Sequence, residues 1–313
     1  MASAPPAPVF DPAVVFPEAR VLRDATQAGD WPTVSAFFAR FTAADERSFG
    51  VKITMDVPSA EPMLRDAIRR DRRSSLARVL LAAHLVQRAW TIRSSSRATH
   101  VSREQFAGMH EQLRHAEQLL IDITAREPSN ELAWSLRITT SRGLELGQSE
   151  TRRRYDRLAV HHPGFVSAQS NLLQQLCPKW GGSWETAEAF VRECTAAARP
   201  GDPQGVLVAD LHLERWLDLG TQEGLKHLRQ PSVHEELAAA AASSVLHPGY
   251  RSRFGWVSAH SVFAMAFSLI GDEPRAAAHF RALDGRASEL PWAYLPHPVA
   301  ELERRRARAL AKG

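Results

Sequence analysis

Three proline junctions constrain this chain more than any other feature: Glu127-Pro128-Ser129, His162-Pro163-Gly164 and Arg199-Pro200-Gly201. Each ends a helix-like segment and supplies a turn former before the next one. The prolines stand 35 and 37 residues apart, which is the period of a helix–turn–helix repeat unit. A hairpin of that size cannot bury its apolar face alone, so such chains fold by stacking antiparallel hairpins against one another.

Apolar spacing extends the pattern outward. Leu76, Val79, Ala83, Val86 and Trp90 recur at helical intervals, as do Phe106, Met109, Leu113, Ala116, Leu120 and Ile123. These two stripes predict long helices over 75–93 and from 103 onward, packed as a central antiparallel hairpin. Ser102 and Gln105 have the spacing of a capping box at the start of the second. Residues 94–100 break the pattern between them. Shorter helices are expected at 18–28, 31–41, 43–54 and 58–72. Four more follow at 129–146, 149–161, 165–177 and 183–198, paired across Gly147-Gln148 and across the turn at 178–182. Further stripes predict helices at 203–219, 233–246, 252–270, 273–283 and 299–311. No alternating strand pattern of useful length is present, so the expected class is all-α. The domain plan is a disordered Ala/Pro-rich tail over 1–17 and a single helical-repeat domain over 18–311, with the clearest repeats at 102–285.

The period and the Pro-Gly or Pro-Ser junctions resemble those of tetratricopeptide-like repeats over 102–285. The resemblance implies a right-handed array of antiparallel hairpins, a solenoid of the kind that often binds other proteins. The chain departs from that family's Trp-x-x-Leu-Gly signature, having Trp134-Ser135-Leu136-Arg137-Ile138. Thr151 stands where a small residue is expected, and only Ala187, Phe190, Val191 and Cys194 fit the repeat closely. The segment Pro178-Lys179-Trp180-Gly181-Gly182-Ser183 resembles a P-[KR]-W-G-G-S motif of an uncharacterised bacterial family of such repeats. That likeness implies a fold and no activity.

Charge and cysteine content narrow the function. Lys and Arg number 39 against 35 Asp and Glu, a net charge of +4 spread over a large chain rather than the dense basic stripe of a nucleic-acid binder. Lysine occurs only at Lys52, Lys179, Lys226 and Lys312, and this Arg and Ala preference fits a GC-rich bacterial genome. Cys177 and Cys194, the only cysteines, lie on apolar helical positions and are expected as buried thiols. The N-terminus has no basic region followed by an apolar core, and no apolar run approaches the roughly 20 residues of a membrane span. The expectation is a cytoplasmic protein with no membrane partner.

Four constellations bear on a site. The first is the turn Lys179, Trp180, Gly181, Gly182, Ser183 and Trp184. Two glycines, a helix-capping serine and a nearby lysine are the components of an anion site at a helix N-terminus. The lysine precedes the glycines, unlike a phosphate-binding P-loop. The plainer alternative is a tight interhelical joint in which both glycines supply positive φ and the two tryptophans pack the turn down. The second, His110-Glu111-Gln112-Leu113-Arg114-His115, invites comparison with H-E-x-x-H. Its histidines are five apart and point about 140° away from each other on a helix, so they do not share a metal.

In the third, Asp210 and Glu214 share a helix face and form a carboxylate pair with no identified third ligand, while His212 lies on another face. Ion pairs within the fold are the ordinary fate of such carboxylates. The fourth comprises the Arg clusters at 69–73 and 304–308, phosphate contacts in one reading and solvated faces in the other. Together these point to a non-catalytic protein-interaction scaffold whose partner is another protein or peptide, with no cofactor. The alternatives are a polyanion or nucleic-acid binder working through the Arg clusters, and an enzyme with a site near the 179–184 turn.

Overall fold

The computed structural model describes residues 7–94 and 100–313. Among these the protein is all-α, with eighteen α-helices and one isolated bridge between Val9 and Arg286. In chain order the helices begin α1 (Pro12–Val15), α2 (Pro17–Ala28), α3 (Trp31–Arg40), α4 (Ala44–Met55), α5 (Ala60–Arg70), α6 (Ser75–Arg93) and α7 (Arg103–Arg126). They continue as α8 (Glu131–Gly143), α9 (Gln148–Ala159), α10 (Val166–Leu176), α11 (Trp184–Ala196), α12 (Gly205–Leu219) and α13 (Thr221–Leu228). The last are α14 (Pro231–Ser243), α15 (Trp256–Ile270), α16 (Glu273–Leu283), α17 (Glu289–Trp292) and α18 (Pro298–Lys312). Of the predicted break at 94–100, residues 95–99 lie outside the described residues, as do residues 1–6 of the expected tail. The helices gather into two compact units, Pro17–Leu176 and residues 7–16 with Cys177–Gly313.

The first unit, Pro17–Leu176, is built on α6 and α7. Ser75 at the start of α6 bonds Glu127 just past the end of α7, and Gln105 in the first turn of α7 donates to the Ile92 carbonyl at 3.0 Å, so the two run antiparallel as the stripes predict. The capping box forms, with Gln105 N–H on the Ser102 hydroxyl at 3.2 Å and Ser102 N–H on the Gln105 side chain at 2.9 Å. Outward from this hairpin, α5 packs on α6, α8 on α7, α9 on α8, and α10 on both α8 and α9. Two of the proline junctions close in one way: Trp134 Nε1 donates to the Pro128 carbonyl at 2.8 Å, and Gln169 Nε2 to the Pro163 carbonyl at 3.0 Å, each from six residues downstream.

Arg137, the residue that breaks the repeat signature, has a structural role. Its guanidinium and that of Arg154 both reach the Glu117 carboxylate, at 3.0 and 2.9 Å, and the Thr140 hydroxyl donates to the same group at 2.5 Å. All four residues are buried, so one carboxylate between two arginines ties α7, α8 and α9 together. Burial pulls the Arg137 pKa down, with the Glu117 charge opposing it. Arg137 also lies 4.9 Å over the Trp134 ring.

The second unit centres on α12 and α15. Residues 259–269 of α15 are buried without interruption, as expected of a helix that is apolar all round. α12, α14, α16, α17 and α18 all pack on it. The short α13 packs on α12 and α15 and was not foreseen from the sequence. Gly205 lets α12 approach α14, since a Cβ there would stand 2.4 Å from the Ala240 carbonyl oxygen. Residues 9–16, which composition assigns to the tail, are held in this unit: Val9 N–H bonds the Gly285 carbonyl at 2.9 Å, and Phe16 meets Phe254 edge-on at 5.3 Å. Cys177 and Cys194 are buried free thiols. Among the described residues no helix is long and apolar enough to cross a membrane.

Candidate functional site

The 179–184 turn is a one-turn 3₁₀ segment over Pro178–Trp180, closed by Gly181 at φ 81°. Only Gly181 of the two glycines takes positive φ, which corrects the expectation that both do; Gly182 instead donates its N–H to the Cys177 carbonyl at 3.2 Å. Ser183 caps α11 as anticipated, accepting from Thr186 N–H at 3.2 Å. The lysine is engaged by a carboxylate of the fold. Lys179 Nζ meets Glu214 Oε2 on α12 at 2.5 Å, and Trp184 Nε1 donates to Asp218 one turn further along the same helix at 3.2 Å. Arg215 lies 5.7 Å over the Trp184 ring and binds Glu188 of α11 at 2.5 Å. The motif is thus strapped to one face of α12.

Glu214, which the sequence places on one helix face with Asp210, has partners from two other segments. Its side chain is 3% exposed, with Lys179 on one oxygen and the Tyr294 hydroxyl donating to the other at 3.0 Å. Burial pushes the Tyr294 hydroxyl pKa up, and the Glu214 and Asp210 charges add to that shift, so the phenol stays a donor. A carboxylate occupied on both oxygens by a cation and a phenol is a clasp between α12, the turn and the segment after α17. Each of its oxygens accepts from a group of the fold, so the carboxylate serves the packing of these three elements. Sequence reasoning missed Tyr294 because it lies 80 residues from Glu214.

A concave feature lies in the first unit instead. α6 runs between α5 and α7, and a trough of about 380 Å³ lies along it. Leu81 and Leu85, one turn apart on α6 and each 3% exposed, form its floor with the half-buried Leu119 of α7. On α7 the lining residues His115, Gln118, Leu119 and Asp122 fall at helical spacing, beside the core stripe that the sequence reveals. Arg65 and Arg78 stand at the rim, each already paired: Arg65 with Glu61 at 2.7 Å, Arg78 with Asp122. The trough therefore combines an apolar floor with a rim whose charges are balanced.

The remaining candidates take plain places. His115 is exposed at the trough and His110 is half-buried on another face of α7. Among the described residues no three His, Cys, Asp or Glu side chains are placed to hold a metal ion. In the Arg clusters, Arg69 and Arg70 share Asp66 at 3.1 and 2.6 Å, Arg304 and Arg305 share Glu301 at 2.7 and 3.1 Å, and Arg308 binds Glu273 at 2.5 Å. Arg306 is buried. Compared with protein-family models, with curated proteins and with solved structures, the chain matches none.

Proposed function

We propose that this protein is a helical-repeat interaction module, without catalysis, that seats an apolar side chain of a partner peptide in the α5–α6–α7 trough. The observation that carries the reading is the trough itself. Its volume lies in the range of roughly 300–1,000 Å³ typical of ligand sites, its floor is leucine, and its rim is polar. Apolar anchors that enter such hollows supply most of the binding energy at peptide and protein interfaces, while a polar rim fixes orientation. Successive helices packed as neighbours, with two junctions closed alike, support the repeat character of the first unit.

The two alternatives draw less support. Polyanion binding draws on free guanidinium groups, and of the eight clustered arginines five are engaged by Asp66, Glu301 or Glu273 and a sixth is buried, which leaves the exposed Arg72 and Arg73. An enzyme centred on the 179–184 turn needs a reactive group there, and Lys179 and Glu214 neutralise each other. The test is to pan a phage-displayed peptide library on the full-length protein. Selected peptides are then compared on wild type and on Leu119→Asp, a change at a half-buried site, once circular dichroism shows equal helicity in the two proteins. Peptides sharing a large apolar residue and binding the variant at least tenfold more weakly support the reading. Failure to enrich any peptide, or equal binding to both proteins, overturns it.

A further inference from the structure

Beyond the paired rim of the trough, charge collects at one end. From Glu61 to Arg78, the stretch that holds α5, its junction with α6 and the first turn of α6, six arginines stand against three carboxylates, Glu61, Asp66 and Asp71. Glu61 is shared by Arg65 and Arg88, and Asp66 by Arg69 and Arg70, at 2.6 to 3.1 Å. Asp71 accepts from the backbone N–H of Arg73 at 2.9 Å. Arg72 and Arg73 are exposed, and their guanidinium groups have no ion-pair partner among the described residues.

Helix geometry places this excess against the trough. Arg78 lines it, and the N-cap of α6, Ser74, stands four residues back, about 6 Å along the helix axis. Arg72 and Arg73 immediately precede that N-cap. On α5, Arg69 follows the lining residue Arg65 by four positions on the same face, toward the same junction. From α7 and its end come Asp122, Arg126 and Glu127. Asp122 takes both Arg78 and Arg126, and Glu127 is bonded by Ser75 and Asn130. One further unmatched carboxylate leaves the junction positive. A surface patch with a net charge steers and orients partners of the opposite sign, and pairing within the patch lowers its field without removing the excess.

We propose that the peptide seated in the trough carries acidic side chains on the side of its apolar anchor that faces the α5–α6 junction, where Arg72 and Arg73 receive them. The proposal rests on the reading of the trough as a peptide site and adds the class of partner, an acidic peptide. Arginine suits the task, since its planar fork takes a carboxylate through two parallel bonds. Nucleic acid fits the same place less well, because no Phe, Tyr or Trp lines the trough for a base to stack on.

Fluorescence anisotropy on the full-length protein tests it. The probes are each peptide that panning selects, a copy with every Asp and Glu changed to Asn and Gln, and a random-sequence single-stranded oligonucleotide. The proteins are wild type, Leu119→Asp and the double variant Arg72→Gln, Arg73→Gln, whose changes fall on exposed side chains. Selected peptides are expected to be acidic and to bind roughly fivefold or more weakly after either neutralisation, their own or that of the two arginines. The neutralised copies should bind wild type and the double variant equally, which ties the two effects to one contact. Selected peptides without acidic residues, or acidic ones held equally by wild type and the double variant, overturn the proposal; a loss on Leu119→Asp in those same peptides would still uphold the trough. Failure to select any peptide, or no loss on Leu119→Asp, overturns both. An oligonucleotide that binds wild type more tightly than every selected peptide overturns the acidic-peptide class in favour of nucleic acid.

Discussion

Lowering the pH from 7 to 4.5 will destabilise the second unit through one buried histidine pair. His260 on α15 and His279 on α16 share a hydrogen bond between their Nδ1 atoms at 2.9 Å, and are 7% and 0% exposed. The His279 ring stacks on Phe263 and Phe267, with centroids 5.3 and 5.7 Å away, and its Nε2 has no partner. Burial alone holds the His260 pKa at about 4; burial, then the neighbouring His260, holds that of His279 at about 3. In the unfolded chain both titrate near 6.5. Folded pKa values below the unfolded ones mean that the unfolded chain binds more protons, so stability is complete above about pH 6.5 and falls as pH drops toward 4 and 3. At about 1.4 kcal/mol per pH unit for each proton, two histidines cost roughly 5 kcal/mol by pH 4.5. The assay is pulsed hydrogen exchange at a fixed pulse pH across a urea series, read on α15 and α16 peptides after equilibration at pH 7 and at 4.5. A His260→Leu, His279→Phe double variant should lose most of the pH dependence, while titration of His227 is common to both proteins and cancels. Equal pH dependence in wild type and double variant would refute the reasoning.

Three further outcomes are expected. Glu117→Ala leaves Arg137 and Arg154 buried without their shared carboxylate and should cost about 3–5 kcal/mol in a urea titration of the first unit; a change below about 1 kcal/mol would show that the network is not a clamp. Gly205→Ala places a methyl 2.4 Å from the Ala240 carbonyl oxygen and 2.3 Å from the Ser244 hydroxyl, and should destabilise the second unit by about 1–3 kcal/mol, measured in the same way. Lys179→Ala strands the buried Glu214 and should cost about 1–3 kcal/mol, most of it recovered by adding Glu214→Gln. A neutral single variant would return the lysine to the role of free anion binder.

Local signals carried the helices whose start, stop and stripe agree. Ser102 and Gln105 mark α7 before any contact is known, and the Gly271-Asp272 pair ends α15 with a left-handed residue and caps α16 through the Arg275 N–H. α13 escaped because eight residues around Gly224 are too few for a stripe and the glycine argues against a helix. The turn at 179–184 was legible as a specified feature. Its strap was not, because Glu214 lies 35 residues and Tyr294 a further 80 away, and no local rule pairs them. Arg137 and Arg154 were hidden for a different reason. Arginine defaults to solvent in any reading by residue type, and only tertiary packing shows two of them sharing one buried carboxylate. The trough is invisible for a related reason, since Leu81, Leu85 and Leu119 lie beside the stripes that periodicity picks out and no local rule places a hollow over them.

The central claim is that the trough over α6 receives a partner's apolar side chain. Methyl-labelled NMR of the full-length protein, titrated with a peptide selected as above, tests it residue by residue. The account predicts that the largest shifts fall on the Leu81, Leu85 and Leu119 methyls and vanish in Leu119→Asp. Shifts centred instead on exposed leucines elsewhere, such as Leu146 or Leu310, with those three unmoved, would contradict it.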